Sequence, residues 1–216
     1  MSVQPDLAES AYADWCHYEP LELSPILAGA LAAFYEHGYH GTTVRDIARR
    51  AGVTVPALYY YYENKQGILI ALLELAINEV YGRALAAVRE ADDDPVAQFS
   101  RLVESVVLYT TNRVSLAALD SELRYLEPAN RRRYAALRKR LENLLLDILV
   151  RGNETGAMKM ASPRDTARAV LGMCQAIATW YRPEGELSPQ QMAARYVDIA
   201  MHAVGARCRH TADPAS

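Results

Sequence analysis

The stretch that decides the fold is VRDIARRAGVTVPAL, at residues 44–58. Its apolar positions Ile47 and Leu58 are predicted to face a small core, and Ala48 is small where two crossing helices must approach closely. Gly52 can adopt the positive φ that a tight turn between helices requires. Two short helices joined in this way leave the second one protruding, and an α-helix fits the major groove of DNA. The spacing therefore predicts a helix-turn-helix.

Helix signals continue on both sides of this motif. Ser24, followed by proline, is a typical N-cap and opens a helix predicted to end near Gly38. Thr43 and Asp46 form a capping-box pattern at the start of the next helix. Pro56 disfavours helical geometry in the residue before it, which leaves the start of the third helix open. Helical periodicity predicts further elements at about 55–61, 63–91, 96–112, 115–126, 128–152, 164–181 and 189–207.

Composition is typical of a folded helical protein. Of the 216 residues, 51% are apolar and 23% are charged, which suits a chain with a packed core. The formal charge of −3 does not by itself favour nucleic acid. However, residues 1–24 carry five acidic and no basic residues, whereas residues 41–65 carry four basic residues against two acidic ones. An acidic total can therefore coexist with a local basic surface.

Motif spacing argues against several classes of protein. The cysteines Cys16, Cys174 and Cys208 lie far apart and lack the CxxC spacing of zinc or redox sites. Because GxSxG, P-loop, GxGxxG and HExxH motifs are all absent, we expect no catalytic residues, no metal site and no enzyme. The most apolar stretch, residues 68–77, is interrupted by Glu74 and is too short to span a bilayer. We expect a cytoplasmic protein with no membrane partner.

Surface chemistry near the motif suits contacts with DNA. Thr43 and Thr54 begin helices, where backbone N–H groups and the helix dipole favour a phosphate. Tyr60 and Lys65 can donate to phosphates, and Arg45 can reach a phosphate or a base edge. The residues predicted to contact bases are Val55, Pro56, Ala57 and Tyr59. The alternative for this tyrosine-rich helix end is ordinary core and surface packing.

Together these motifs resemble the TetR family of DNA-binding regulators. The resemblance covers about residues 24–75, through GTTVRDIA at 41–48, AGVT at 51–54, LYYYY at 58–62 and NK at 64–65. It implies an all-α fold of about nine helices, in which a three-helix DNA-binding domain precedes a helical ligand-binding and dimerisation bundle. It also implies a repressor of transcription that a small-molecule effector releases from operator DNA.

The predicted domain organisation follows from these elements. It consists of an acidic arm at 1–23, a DNA-binding domain at 24–70 with its helix-turn-helix at about 43–62, a ligand-binding and dimerisation domain at 71–207, and a tail at 208–216. The arm has three open placements: over the DNA-binding domain, over the long fourth helix, or disordered. The resemblance implies a homodimer formed through about 164–181 and 189–207. Two-fold symmetry would place two recognition helices roughly 34 Å apart, which implies a near-palindromic operator.

The segment WYRPEGELSP at 180–189 resembles one found in family members that sense acyl-CoA thioesters. Such an effector needs an apolar tunnel and cations for its phosphates, and we expect no other cofactor. The basic residues available are Arg113, Arg124, Arg131, Arg132, Arg133, Arg138, Lys139 and Arg140. The alternative is that this Arg-rich helix face is simply solvated. The predicted ligand-binding residues are Tyr109, Arg113, Leu116, Asp120, Leu123, Arg124, Met173, Gln175 and Trp180.

One rival function stays open, namely a helical ligand- or protein-binding module without specific DNA binding. Such a module would not require Thr43, Tyr59, Tyr60 and Lys65 on one surface. Exposure of these residues in the structure would therefore favour DNA binding over such a module.

Overall fold

The computed structural model describes residues 12–206, and every regular element in that range is helical. The α-helices are α1 (Pro25–Gly41), α2 (Val44–Ala51), α3 (Val55–Tyr61), α4 (Lys65–Glu90), α5 (Pro95–Asn112), α6 (Val114–Ala118), α7 (Pro128–Glu154), α8 (Pro163–Trp180) and α9 (Pro189–Ala203). A 3-10 helix, Leu119–Tyr125, joins α6 to α7. The predicted all-α fold is confirmed. None of the helices in the described range is long and apolar enough to cross a membrane.

Most predicted helix bounds agree with the structure, and the differences have local causes. In α1 the helical geometry breaks at Gly38, which has φ 70° and ψ 169°, although helical turns resume as far as Gly41. The single helix predicted at 115–126 is instead α6 followed by the 3-10 helix, and neither has a side-chain cap that would mark its start in the sequence. The last helix ends at Ala203, ahead of Gly205 with φ 63°.

The helices form two parts, which we call the head (α1–α3) and the body (α4–α9). In the body, α5 lies at the centre and packs against α4, α7, α8 and α9. Its side chains are buried on most sides, as expected for a helix enclosed by others. Among the buried ones are Phe99, Leu102, Val103, Val106 and Val107. Full burial of each large apolar side chain stabilises the fold by roughly 1.5–3 kcal/mol.

The described part of the acidic arm lies over the long helix α4, which is one of its three expected placements. Trp15 is buried, with 4% of its surface exposed. The Arg83 guanidinium of α4 donates to the backbone carbonyls of Trp15 and His17, at 2.9 and 2.8 Å. The same guanidinium is paired with the Glu79 carboxylate at 3.0 Å. A buried ion pair thus fastens the arm to the body. Residues 1–11 of the arm and the predicted tail lie outside the described residues.

Candidate nucleic-acid interface and ligand cavity

Helix α2 begins with the predicted capping box. The Thr43 hydroxyl accepts a hydrogen bond from the Asp46 backbone N–H at 3.2 Å, and the Asp46 carboxylate accepts from the Thr43 N–H at 3.1 Å and from the Thr43 hydroxyl at 2.6 Å. The hydrogen bond from the Thr43 side chain is the main cause that lowers the pKa of Asp46. Both Thr43 donors are therefore engaged. A phosphate at this end would meet the unbonded N–H groups of the first helical turn, those of Val44 and Arg45.

Two glycines position α2, because Gly52 forms its turn to α3 and Gly29 lets α1 lie close against it. Gly52 is left-handed, with φ 66° and ψ 27°, and the following Val53 N–H donates to the Ala48 carbonyl at 3.0 Å. Helices α1 and α2 approach each other closely at Gly29, where an added Cβ would lie 3.1 Å from the Ala51 backbone nitrogen. Ala48 is buried, as predicted, but Gly29 was missed. The only feature of the sequence that could have indicated this close approach is a glycine inside an otherwise apolar helix.

Helix α3 begins at Val55, despite the proline that follows. The Thr54 hydroxyl caps it by accepting from the Ala57 N–H at 3.3 Å, and Pro56 occupies the first turn, where no N–H is needed. Leu58 is fully buried and anchors the helix to the head. The remaining residues of α3 are left on or near the surface.

Three consecutive tyrosines are exposed at the end of α3. The exposed fractions are 50% for Tyr59, 84% for Tyr60 and 68% for Tyr61, whereas Tyr62 is half-buried against the core. The exposure predicted for Tyr59 and Tyr60 is thus present, and Tyr61 joins them. Arg45 is also exposed, and no ion pair engages it within residues 12–206. The end of α3 thus offers phenolic hydroxyls, and α2 offers one exposed guanidinium, to an approaching anion.

Two nearby cations are held by the protein itself. The Lys65 ammonium donates to the backbone carbonyls of Tyr39 at 2.6 Å and Thr42 at 2.7 Å, and desolvation lowers its pKa. Two of its three N–H donors are thereby used, so a phosphate contact by Lys65 stays a prediction. Arg50 is paired with Glu36 of α1 at 2.5 Å. Both side chains stabilise the head's geometry.

A small polar and aromatic cluster, which we call the joint, connects the head to the body. The Tyr125 ring, at the end of the 3-10 helix, stacks on Tyr39 with centroids 5.9 Å apart, and the His40 ring meets its edge at 4.1 Å. The Gln66 side chain donates to the Tyr125 carbonyl at 3.4 Å and accepts from the Glu127 N–H at 3.1 Å. Movement of the 3-10 helix would therefore reach the head directly.

The body contains a narrow cavity, which we call the inner cavity, between α4, α5, α6, the 3-10 helix, α7 and α8. Its volume is about 40 Å³. The lining residues are Ala76, Ile77, Val80, Val106, Tyr109, Thr110, Leu116, Ala117, Asp120, Tyr134, Leu141 and Gln175. Four of the predicted ligand-binding residues are among them, namely Tyr109, Leu116, Asp120 and Gln175.

The other five predicted ligand-binding residues lie elsewhere: Arg113, Leu123, Arg124, Met173 and Trp180. Arg113 is paired with the buried Glu79 at 3.2 Å. The Arg124 guanidinium lies over the Tyr125 ring, 4.8 Å from its centroid. Trp180 is 49% exposed. Periodicity identifies the buried face of a helix but not the cavity that the face meets, which is also why Tyr134 was missed.

The polar side chains in and beside this apolar cavity have hydrogen-bond partners, and the exception among the described residues is Tyr109. The Tyr134 hydroxyl donates to the Asp120 carboxylate at 2.7 Å. The Arg138 guanidinium donates to the Gln175 side-chain oxygen at 3.0 Å and lies 3.8 Å from the second Asp120 oxygen. The Tyr109 hydroxyl is buried and has no hydrogen-bond partner among the described residues. Burial raises the pKa of both tyrosines, so both stay protonated near neutral pH.

A second and wider cavity of about 180 Å³, which we call the mouth, adjoins the first between α7 and α8. The two cavities share Ile77, Leu141 and Gln175. The mouth adds Arg138, Glu142, Arg168, Leu171 and Gly172. Of the eight basic residues considered for phosphates, Arg138 alone lines it. Several others are held locally, as Arg133 is by Glu74 at 2.5 Å.

Two known protein families match this chain, one over its N-terminal part and one over its C-terminal part. Residues 26–72 match the family described as bacterial regulatory proteins, tetR family, and residues 92–204 match the tetracyclin repressor-like C-terminal domain. The transcriptional repressor KstR2 of Rhodococcus jostii is 24% identical over 174 residues, which are 80% of this chain and 85% of that protein.

Solved structures agree with this match. The TetR family regulator PfmR from Thermus thermophilus is 31% identical, with a TM-score of 0.74 over 83% of this chain and 98% of that one. AibR, solved in complex with isovaleryl coenzyme A and operator DNA, is 24% identical, with a TM-score of 0.74 over 81% of this chain and 95% of that one. The AibR comparison shows a shared fold.

Proposed function

The chain belongs to the TetR family of bacterial regulatory proteins, and we propose that it is a cytoplasmic repressor that an acyl-CoA thioester releases from its operator. The family consists of DNA-binding transcription regulators, and we propose no catalytic activity for this member. The observation that carries the DNA-binding role is the exposed end of α3, together with the exposed Arg45 of α2, which has no ion pair within residues 12–206.

The head is suited to contact both phosphates and bases. Three exposed tyrosines on one short helix form an aromatic surface of the kind that marks an interaction site. Tyr59 and Tyr60 supply hydroxyl donors for phosphates, and the apolar Val55 and Ala57 suit contact with thymine methyl groups.

Fluorescence anisotropy with the chain's own upstream DNA tests this role, across a salt series and with excess nonspecific competitor. Arg45→Ala should weaken binding and reduce the slope of log K against log salt by about 1. The matched control is Arg132→Ala, an exposed arginine of α7 in the body, which should behave like the wild type. Unchanged binding by Arg45→Ala would exclude this contact. A wild-type protein that selects no sequence from genomic DNA would favour the rival module.

The helices α8 and α9 are proposed to form a two-fold homodimer interface. Their supporting feature is large apolar surface left exposed within the chain, 49% at Trp180 and 52% at Ile199. Ile199→Asp should shift the sedimentation coefficient to that of a monomer and weaken binding to a near-palindromic operator. The control Tyr35→Asp changes an equally exposed side chain of the head, at 48%, and should stay dimeric. An Ile199→Asp dimer would place the interface elsewhere.

An acyl-CoA effector is supported by the cavities and by the ligand of AibR. The inner cavity is mostly apolar, and the mouth beside it carries Arg138 and Arg168, which suits an acyl group inside and phosphates outside. The inner cavity is too small for an acyl chain as it stands, so binding must move its walls. Asp120 of the 3-10 helix is one wall, and Tyr125 of the same helix contacts the head.

Release of operator DNA on titration with octanoyl-CoA tests the effector, with coenzyme A and octanoate alone as controls. Octanoyl-CoA should release the DNA at concentrations at which neither half does so, because each half occupies only one of the two cavities. Arg138→Ala should weaken the response to octanoyl-CoA. Equal potency of coenzyme A alone would contradict a role for the inner cavity.

A further inference from the structure

The Tyr109 hydroxyl stands apart from the other polar groups of the inner cavity. Tyr109 belongs to the central helix α5, is 4% exposed, and its hydroxyl has no hydrogen-bond partner within residues 12–206. The walls around it are mostly apolar, with Ile77, Val80 and Leu116 among them. Burying a hydroxyl without a partner is destabilising, and buried polar groups in proteins are almost always paired.

Neighbouring polar side chains do not satisfy this hydroxyl, because each is engaged with another partner. Asp120 accepts from Tyr134 at 2.7 Å. The Thr110 hydroxyl donates to the backbone carbonyl of Val106 at 2.9 Å. The Gln175 oxygen accepts from Arg138. The cavity therefore presents one unused O–H donor to whatever enters it.

The charged groups near Tyr109 also favour a neutral hydrogen-bond acceptor over a negatively charged one. The carboxylates of Glu79 and Asp120 lie close enough to raise the pKa of Tyr109, in addition to the larger effect of burial. The phenol therefore remains a donor, and a carboxylate brought beside it would be repelled and desolvated. A neutral oxygen, such as that of a ketone or a hydroxyl group, meets neither obstacle.

We propose that Tyr109 recognises a neutral oxygen on the buried part of the effector, so that the cavity selects an oxo- or hydroxyacyl group over a plain alkyl chain. This inference deepens the proposed function, since it concerns the acyl end of the same ligand. Sites that hydrogen-bond a substrate oxygen discriminate strongly, because without that oxygen the site's own buried polar group stays unpaired. A water molecule is the competing occupant, since about 40 Å³ is enough to hold one.

Binding of a set of octanoyl-CoA derivatives, with one oxo group moved along the chain, tests the proposal by calorimetry. At least one oxo derivative should bind the wild type about tenfold more tightly than octanoyl-CoA. Tyr109→Phe should abolish that preference, mainly by weakening the binding of the oxo derivative. A preference that survives Tyr109→Phe, or no preference in the wild type, would overturn the proposal.

Thermal unfolding without ligand separates recognition from a structural role. Tyr109→Phe should not lower the midpoint, because the hydroxyl that it removes is unpaired. The matched variant Tyr134→Phe should lower it, because that hydroxyl is bonded to Asp120. A loss of stability in Tyr109→Phe comparable with that in Tyr134→Phe would mean that Tyr109 already has a partner, which contradicts the proposal.

Probes that carry no coenzyme A distinguish a failure of the acyl-CoA hypothesis from a failure of the proposed role of Tyr109. Cyclohexanone and cyclohexane can be compared by ligand-observed NMR with the wild type and with Tyr109→Phe. If no thioester binds, but the wild type prefers the ketone and Tyr109→Phe does not, the effector class is wrong and the role of Tyr109 stands. If the thioesters bind without regard to the oxo group, the effector class stands and the role of Tyr109 is wrong.

Discussion

The head and the body of this molecule are held together by different kinds of contact. In the head, the bonds that cap the starts of α2 and α3 join residues a few positions apart, namely Thr43 with Asp46 and Thr54 with Ala57. In the body, α5 packs against helices that follow it by many tens of residues, and the arm is fastened to α4 by Arg83. Local bonds therefore define the surface for DNA, whereas distant contacts define the cavity.

The largest effect is expected from the buried ion cluster of the body. Glu79 lies between Arg83 at 3.0 Å and Arg113 at 3.2 Å, and the three side chains are 6%, 7% and 11% exposed. Glu79→Gln would leave two buried guanidinium groups without a counter-charge, which should lower the free energy of unfolding by about 3–5 kcal/mol. Urea denaturation measures this change.

The matched control for that substitution is a more exposed ion pair, which lies on the central helix α5. Glu104 is paired with Arg101 at 2.9 Å, with side chains 32% and 44% exposed. Glu104→Gln should change the free energy of unfolding by less than about 1 kcal/mol. Similar losses for both variants would show that burial of the Glu79 cluster does not matter to the body.

In the head, the corresponding test is the apolar anchor of α3. Leu58 is fully buried, so Leu58→Ala should cost about 2–5 kcal/mol of stability through lost burial and the cavity left behind. Tyr60→Ala, two residues further on, removes a side chain that is 84% exposed. It should leave the unfolding temperature unchanged while weakening operator binding. A stable Leu58→Ala protein would mean that the helix is not anchored there.

A glycine substitution of the same kind should have opposite signs at two positions. Gly52 has φ 66° with nothing within 4 Å of an added Cβ, so Gly52→Ala should destabilise by about 1–2 kcal/mol through backbone strain alone. Gly67 lies in the first turn of α4, where an added Cβ has ordinary contacts, so Gly67→Ala should stabilise by about 0.5–1 kcal/mol. The two melting temperatures measure the contrast, and equal shifts would rule out strain at Gly52.

The difference between head and body also explains what could be predicted from the sequence. The capping box, the left-handed Gly52 and the start of α1 at Pro25 are local patterns, and the structure confirms them. The positions of Arg113 and Trp180 outside the cavity depend on which helices meet, and a single sequence does not encode that visibly. The division of residues 115–126 between α6 and the 3-10 helix was not predicted, because neither short helix has a side-chain cap that would mark its start in the sequence.

The smallest effect concerns the titration of the local bonds themselves. The hydrogen bond from the Thr43 hydroxyl is the main cause that lowers the pKa of Asp46 below its ordinary value of 3.8, and Arg49 contributes less. A carboxylate with a lowered pKa stabilises the folded state fully above its ordinary pKa, and this stabilisation is lost as the pH falls through the folded value. NMR titration should therefore show the pKa of Asp46 rising in Thr43→Val and rising less in Arg49→Ala. The reverse order would mean that the ion pair with Arg49, rather than the cap by Thr43, is the main cause of the lowered pKa of Asp46.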